Sequence, residues 1–228
     1  MTSANIPNHV GLIVDGNRRW AKKRGLPTLT GHKKGFDAIK KVAEELINNG
    51  VKYVSAYIFS AENWNRDEKE VTYLMDLAYE RVTKDLDDMN SKNIRLKVLG
   101  RRDKVPQKLL KAIDKAVETT KNNNKGTLAL CFNYGGQQEV VDAVNQLIKS
   151  GKRSVSQKDI EDSLYEPEVP PMDIMVRTSG EQRISNFMLW RIAYSELLFI
   201  KKHFPAMGKP DAQAIIEEYA NRQRRFGR

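Results

Sequence analysis

The strongest constraint on how this chain can fold is an alternation. Short, almost uninterrupted apolar runs take turns with stretches in which apolar residues recur at helical spacing. "HVGLIVDG" (9–16) reads as a buried strand. "KKGFDAIKKVAEELINNG" (33–50) follows as a helix with Phe36, Ile39, Ala43, Leu46 and Ile47 on one face and Gly50 as its stop. "VKYVSAYIF" (51–59) is again a strand, and 67–90 places Val71, Leu74, Ala78, Val82, Leu86 and Met89 on one side of a long helix. The pattern continues with a strand at 94–100, a helix from Pro106 to about Asn122, the strand "TLALCF" and the helix "GQQEVVDAVNQLIKSG". "DIMVRTSG" (173–180) is a further strand, "FMLWRIAYSELLFI" adds apolar material, and Asp211 begins a terminal helix. Near-continuous apolar strands alternating with helices imply an α/β fold, a mainly parallel central sheet flanked by helices. At 228 residues the expectation is a single domain spanning 1–228.

In such a sheet, ligands bind outside the carboxyl ends of the strands, so the post-strand loops carry the functional information. Those loops hold Asp15-Gly16-Asn17, Ser60-Ala61-Glu62-Asn63-Trp64, Gly100-Arg101-Arg102, Asn133-Tyr134-Gly135-Gly136 and Arg177-Thr178-Ser179-Gly180-Glu181. The chain carries a net charge of +10, which favours an anionic partner without saying which. The single cysteine, Cys131, lies inside an apolar run, which excludes an intramolecular disulfide and predicts a buried, inert thiol in a reducing cytosol. No apolar run approaches the roughly 18 residues of a membrane span, and no signal sequence is evident, so a cytoplasmic protein is expected.

Three clusters carry chemistry. In "DGNRRWAKKRG", Gly16 allows close backbone approach, Arg18 and Arg19 with a helix start form an anion cradle, and Asp15 could hold a divalent cation; an ordinary Asp-Gly turn is the plain alternative. In "SAENWNR", Ser60, Asn63 and Arg66 supply a hydroxyl, an amide and a guanidinium beside the flat face of Trp64, against the alternative of a capped loop anchored by its tryptophan. In "RTSGEQRISNF", Arg177 and Arg183 are close enough to converge on one diphosphate, with Ser185 as a further donor, or Arg177 could simply pair with Glu181. His9, His32 and His203 lack the spacing of a zinc site.

These clusters, in this order and together with "GHKKG", "FNYGG", "ELLF" and "RRFG", resemble the cis-prenyltransferases, typified by bacterial undecaprenyl diphosphate synthase. The resemblance runs from His9 to Gly227. It implies condensation of isopentenyl diphosphate with an allylic diphosphate such as farnesyl or geranylgeranyl diphosphate, yielding a Z-polyprenyl diphosphate lipid-carrier precursor such as undecaprenyl diphosphate, in an apolar product tunnel walled by the helix at 67–90. It makes Asp15 and Glu196 the Mg²⁺-associated acids. Gly16, Asn17, Arg18, Arg19 and His32 would bind the allylic diphosphate, with Trp20 beside the hydrocarbon. Ser60, Ala61, Glu62, Asn63, Trp64 and Arg66 match a mobile loop in which Asn63 is assigned to proton removal. Arg177, Arg183, Ile184 and Ser185 match the isopentenyl diphosphate site. The resemblance also implies a homodimer, with Arg225 and Gly227 reaching the neighbouring subunit, no nucleic-acid partner, and peripheral membrane contact for product release.

Against the family pattern, Arg18 replaces a common glycine, Thr28 a common arginine, Gln137 an arginine, and Ile58 a smaller alanine. Arg18 is therefore expected to compensate for the cation missing at position 28, and Ile58 to narrow the tunnel. The competing reading is a non-catalytic prenyltransferase-like or nucleic-acid-binding module; the presence of Asp15, Asn63, Arg177 and Arg183 speaks for a working enzyme.

Overall fold

In a computed structural model that describes residues 6–222, six strands form one parallel sheet: β1 His9–Ile13, β2 Tyr53–Ser60, β3 Ile94–Leu99, β4 Gly126–Tyr134, β5 Ile174–Arg177 and β6 Glu196–Phe199. Their order is β3-β4-β2-β1-β5-β6. The connections from β1 lead first to one side of the sheet and, after β4, to the other, so the topological switch lies between β1 and β5. Register puts Ile13 level with both Tyr57 and Arg177. The carboxyl ends of the three central strands therefore open onto one edge.

Every residue of β1 is buried, because the strand is covered on both faces. On one face Val10, Leu12, Val54 and Val176 pack against α2 (Thr28–Asn48) and α8 (Lys209–Ala220) through Val42, Leu46, Ile215 and Tyr219. On the other, Ile13, Tyr57, Cys131 and Met175 meet Met172, Phe187 and Met188. The Met172 thioether fills the space beside Gly11: a Cβ there would lie 2.2 Å from its sulfur, so the methionine would have to shift. Cys131 is fully buried, and burial pushes its thiol pKa well above the ordinary value.

Several boundaries depart from the sequence reading. α2 starts at Thr28 rather than 33, because Pro27 supplies an extended start and the following turn packs against a short helix, α1, Asn17–Lys22. The predicted helix at 67–90 breaks into α3 (Glu68–Lys84) and α4 (Leu86–Ser91) at Asp85, within an Asp-rich run of poor interior helix formers. α5 is Gln107–Thr120 and α6 is Gly136–Lys149. α7, Gln157–Ser163, is capped by Ser156, whose hydroxyl accepts from the Asp159 N–H. The apolar stretch 187–200 contains β6, reached from β5 by an irregular loop in which Ser179, Ser185, Asn186 and Met188 have positive φ.

Candidate active site

The site begins where β1 ends. Gly16 has φ 97°, and a Cβ there would fall 1.9 Å from Ser179 Oγ and 2.7 Å from His203 Nδ1, so only glycine fits the turn. That turn directs the Asp15 carboxylate across the switch point. Arg19 Nη2 donates to its Oδ1 at 3.0 Å and Arg177 Nη2 to its Oδ2 at 2.9 Å. Burial raises the Asp15 pKa, but hydrogen bonds from Arg177 and Arg19 outweigh it and hold the carboxyl below its ordinary value.

Arg177 is only 4% exposed, and a buried guanidinium requires partners. Besides Asp15 it donates to the Arg183 carbonyl and to Ser185 Oγ. Its Nε is buried without a hydrogen-bond partner among the described residues. Arg183 and Arg19 both pair with Glu181, at 2.6 and 2.7 Å. The Arg177–Glu181 pair expected as the plain alternative is therefore replaced by a chain running Arg183, Glu181, Arg19, Asp15, Arg177.

A second carboxylate organises the other half of the site, one the sequence reading missed. Glu70, on α3, lies 2.9 Å from Arg66 Nη1, 3.4 Å from His32 Nε2 and 3.5 Å from Arg18 Nη1. The available signal was its place four residues after Arg66, the spacing of a helical ion pair. Its contacts with His32 and Arg18 depend on how α1 and α2 pack, which no local pattern reveals. Gly31 and Gly35 permit that packing: a Cβ at either would run into Asn17. Burial lowers the His32 pKa more than Glu70 raises it.

Two connected clefts result. One is lined by Asp15, Gly16, Asn17, Arg18, Arg19, Lys22, Thr28, His32 and Arg66, which puts Arg18 and Thr28 in one lining. The other is lined by Asp15, Tyr57, Ser60, Glu62, Asn63, Arg177, Arg183 and Ser185, with Asn186 added by the structure. Asp15, Asn17, His32 and Arg66 belong to both, so the clefts form a single two-lobed groove. Ile58 borders this groove and also a narrow apolar cavity between the sheet, α2, α3 and α5.

Trp64, Ala61, Ile184 and Trp20 do not line the groove. Trp64 donates from Nε1 to Asn133 Oδ1 at 2.8 Å and meets Phe59 edge-on at 5.0 Å, the arrangement of an anchor for the 3-10 turn Ala61–Asn65. In that turn Asn63 Oδ1 accepts from the Ser60 N–H at 3.1 Å, while Glu62 accepts from Asn186 Nδ2 at 3.2 Å. Ala61 lies beside Gly135, and Ile184 packs on the core below the groove. Trp20 holds the Arg24 guanidinium 4.4 Å above its ring. The Gln137 backbone N–H donates to Asn186 Oδ1.

Glu196 is the one predicted metal-associated acid that this chain does not bring to Asp15. It opens β6 opposite Ile174, whereas Phe199, at the other end of that strand, is level with Arg177; its carboxylate pairs with Arg222 at 3.0 Å. Arg225 and Gly227 lie outside the described residues. Among the described residues no group of three or more His, Cys, Asp and Glu could hold a metal, and no helix is long and apolar enough to cross a membrane.

Comparison with known proteins identifies the family and the fold. Residues 13–227 match the prenyltransferase family described as "Putative undecaprenyl diphosphate synthase". The chain is 48% identical to an isoprenyl transferase of Fusobacterium nucleatum, over 98% of this chain and 96% of that one, and 43% identical to an isoprenyl transferase of Thermotoga maritima, over 97% of each. Its fold superposes on lavandulyl diphosphate synthase from Lavandula x intermedia in complex with dimethylallyl diphosphate, with TM-score 0.94 and 30% identity over 98% of this chain and 99% of that one. A probable undecaprenyl diphosphate synthase from Campylobacter jejuni gives TM-score 0.84 and 26% identity over 98% and 100%. Matching in sequence nearly end to end, the chain belongs to the undecaprenyl diphosphate synthase family of prenyltransferases.

Proposed function

We propose that the protein condenses isopentenyl diphosphate with an allylic diphosphate, the two diphosphates occupying the two lobes that meet at Asp15. The observation that carries this reading is that a cation-rich groove and an apolar cavity lie on either side of Ile58, which suits a substrate with an anionic head and a hydrocarbon tail. The lavandulyl diphosphate synthase neighbour, described in complex with dimethylallyl diphosphate, supports the allylic class.

In this reading Gly16, Asn17, Arg18, Arg19 and His32 receive the allylic diphosphate, and Arg177, Arg183 and Ser185 receive isopentenyl diphosphate. Breaking the allylic carbon–oxygen bond accumulates charge on the leaving diphosphate, and guanidinium groups already fixed by Asp15, Glu70 and Glu181 meet that charge without reorganising. The electron-poor allylic carbon then bonds to the isopentenyl double bond, and one proton leaves the isopentenyl carbon. The leaving diphosphate is the stronger base for that proton. Asn63, its amide oxygen occupied by the Ser60 N–H, positions the turn beside it.

The donor set fits Mg²⁺. One hard carboxylate beside a phosphate site matches an ion held by one or two acids, waters and substrate phosphates, and Asp15 would be the protein ligand. When bound, the ion would neutralise diphosphate charge. Glu196 could contribute only from another copy of the chain, and the exposed Tyr194 and Leu197 at the β6 edge are consistent with the homodimer we propose.

Incubating the protein with labelled isopentenyl diphosphate, Mg²⁺ and allylic primers of several lengths tests the activity. A ladder of elongated diphosphates is expected, and it reports product length. Absence of elongation with every primer refutes the proposal.

A further inference from the structure

The ladder between β2 and β4 slips just before β4 ends. Phe59 is level with Phe132, but the next pair is Ser60 with Tyr134, which makes Asn133 an extra residue in its strand. Asn133 takes the left-handed conformation, φ 49°, that asparagine tolerates better than most side chains. A bulge re-aims the side chain it carries, and this one brings an amide, on a residue only 5% exposed, between two post-strand loops. The amide oxygen accepts from Trp64 Nε1 at 2.8 Å, and Nδ2 donates to the Arg101 and Asp103 carbonyls at 3.0 and 2.9 Å. These partners fix which end is oxygen, because an indole N–H only donates and a carbonyl only accepts. The Asn133 carbonyl completes the junction by accepting from the Arg101 N–H at 3.1 Å.

We propose that Asn133 is a positioning residue for the groove, acting through Trp64. The proposal rests on the prenyl-transfer reading. Ser60, Glu62, Asn63 and Arg66 line the groove, whereas Trp64, in the middle of the same turn, is held by Phe59 and Asn133 behind it. Packing on Phe59 is not directional and leaves the ring free to slide. The hydrogen bond is directional, and it ends on an amide whose other end is already committed to the loop after β3. The turn is thereby referenced to the end of β4. Asn133 lines neither lobe of the groove, so it reaches the chemistry only by where it sets the turn. Arg177 and Arg183 are held independently, by Asp15, Ser185 and Glu181. A displaced turn therefore slows bond formation and proton loss without weakening capture of isopentenyl diphosphate.

Two variants of the full chain cut the same bond from opposite sides. Asn133→Gly removes the amide and keeps the positive φ; Trp64→Phe removes the indole N–H and keeps a ring against Phe59. Each is expected to lower the elongation kcat on the order of tenfold, while the calorimetric affinity for isopentenyl diphosphate stays within about twofold of wild type. The double variant is expected to be no slower than the slower single one, because the second change finds the bond already gone. If Asn133→Gly does not fold, Trp64→Phe alone carries the split between kcat and affinity. Wild-type kcat in the folded single variants overturns the positioning role. So do losses that multiply in the double variant, or an equal loss of isopentenyl diphosphate affinity, which general structural weakening would produce. Failure of the wild-type protein to elongate any primer overturns the prenyl-transfer reading, and the role of Asn133 with it.

Discussion

The groove and the far end of the cavity are both laced with ion pairs, yet their charge balances differ. Around the groove, five guanidinium groups (Arg18, Arg19, Arg66, Arg177, Arg183) share three carboxylates, Asp15, Glu70 and Glu181. At the cavity end, two ammonium groups, Lys40 and Lys92, face three carboxylates, Asp85, Asp88 and Glu44. The first arrangement leaves positive charge for a polyanion to neutralise; the second has none to spare. The same interaction therefore serves to prepare a binding site in one place and to fasten α2 to the α3–α4 break in the other. Both are part-buried, but the first goes deepest at Arg177 and Glu70, whose side chains are 5% and 14% exposed, which is where pairing is worth most.

That contrast makes replacement of Asp15 the most damaging single change. Asp15→Asn removes the charge shared by Arg19 and Arg177 and is expected to lower kcat/KM in the elongation assay by on the order of 10²–10³-fold. Arg18→Ala takes one cation from the lobe that contains Thr28 and should raise the allylic KM about tenfold, equivalent to about 1.4 kcal/mol. Unchanged allylic kinetics would show that Arg18 does not compensate for position 28.

His32 offers a subtler probe. Burial depresses its pKa and the Glu70 carboxylate partly restores it, so an NMR titration should place its midpoint below 6.5 in the wild type and lower still in Glu70→Gln. The sign for stability follows. Below about pH 6.5 the unfolded chain binds a proton that folded His32 resists, so this contribution is present above that pH and is lost as pH falls through the depressed value. The smallest effect belongs to the cavity end: Lys40→Met should change unfolding stability by less than about 1 kcal/mol, because its pairs are substantially solvated.

Much of this was legible before the structure. The alternation of strands and helices and the post-strand loops led to the switch-point edge, where Asp15, Arg19 and Arg177 meet. Residues contributed by one short segment were found together because local sequence holds them together. Glu70 escaped because its role depends on α1, α2 and α3 converging, and His203 because it reaches Ser179, beside Gly16, from beyond β6. Trp64 shows the converse. Only the family resemblance put it in a loop over substrate, while its loop position already favoured an anchor; the indole N–H found Asn133 and the ring found Phe59, as a large aromatic with one donor usually does when a core is near. The helix break at Asp85 could have been suspected from the Asp-rich run, but its partner Lys40 is remote in sequence.

The central claim is that Asp15 stands where two diphosphate lobes meet. Titration calorimetry with isopentenyl diphosphate and a non-ionising thiolo-diphosphate analogue of an allylic substrate, in the presence of Mg²⁺, tests it most directly. Simultaneous binding of one of each per chain is predicted, with both affinities weakened in Asp15→Asn. Mutually exclusive binding of the two ligands would contradict it.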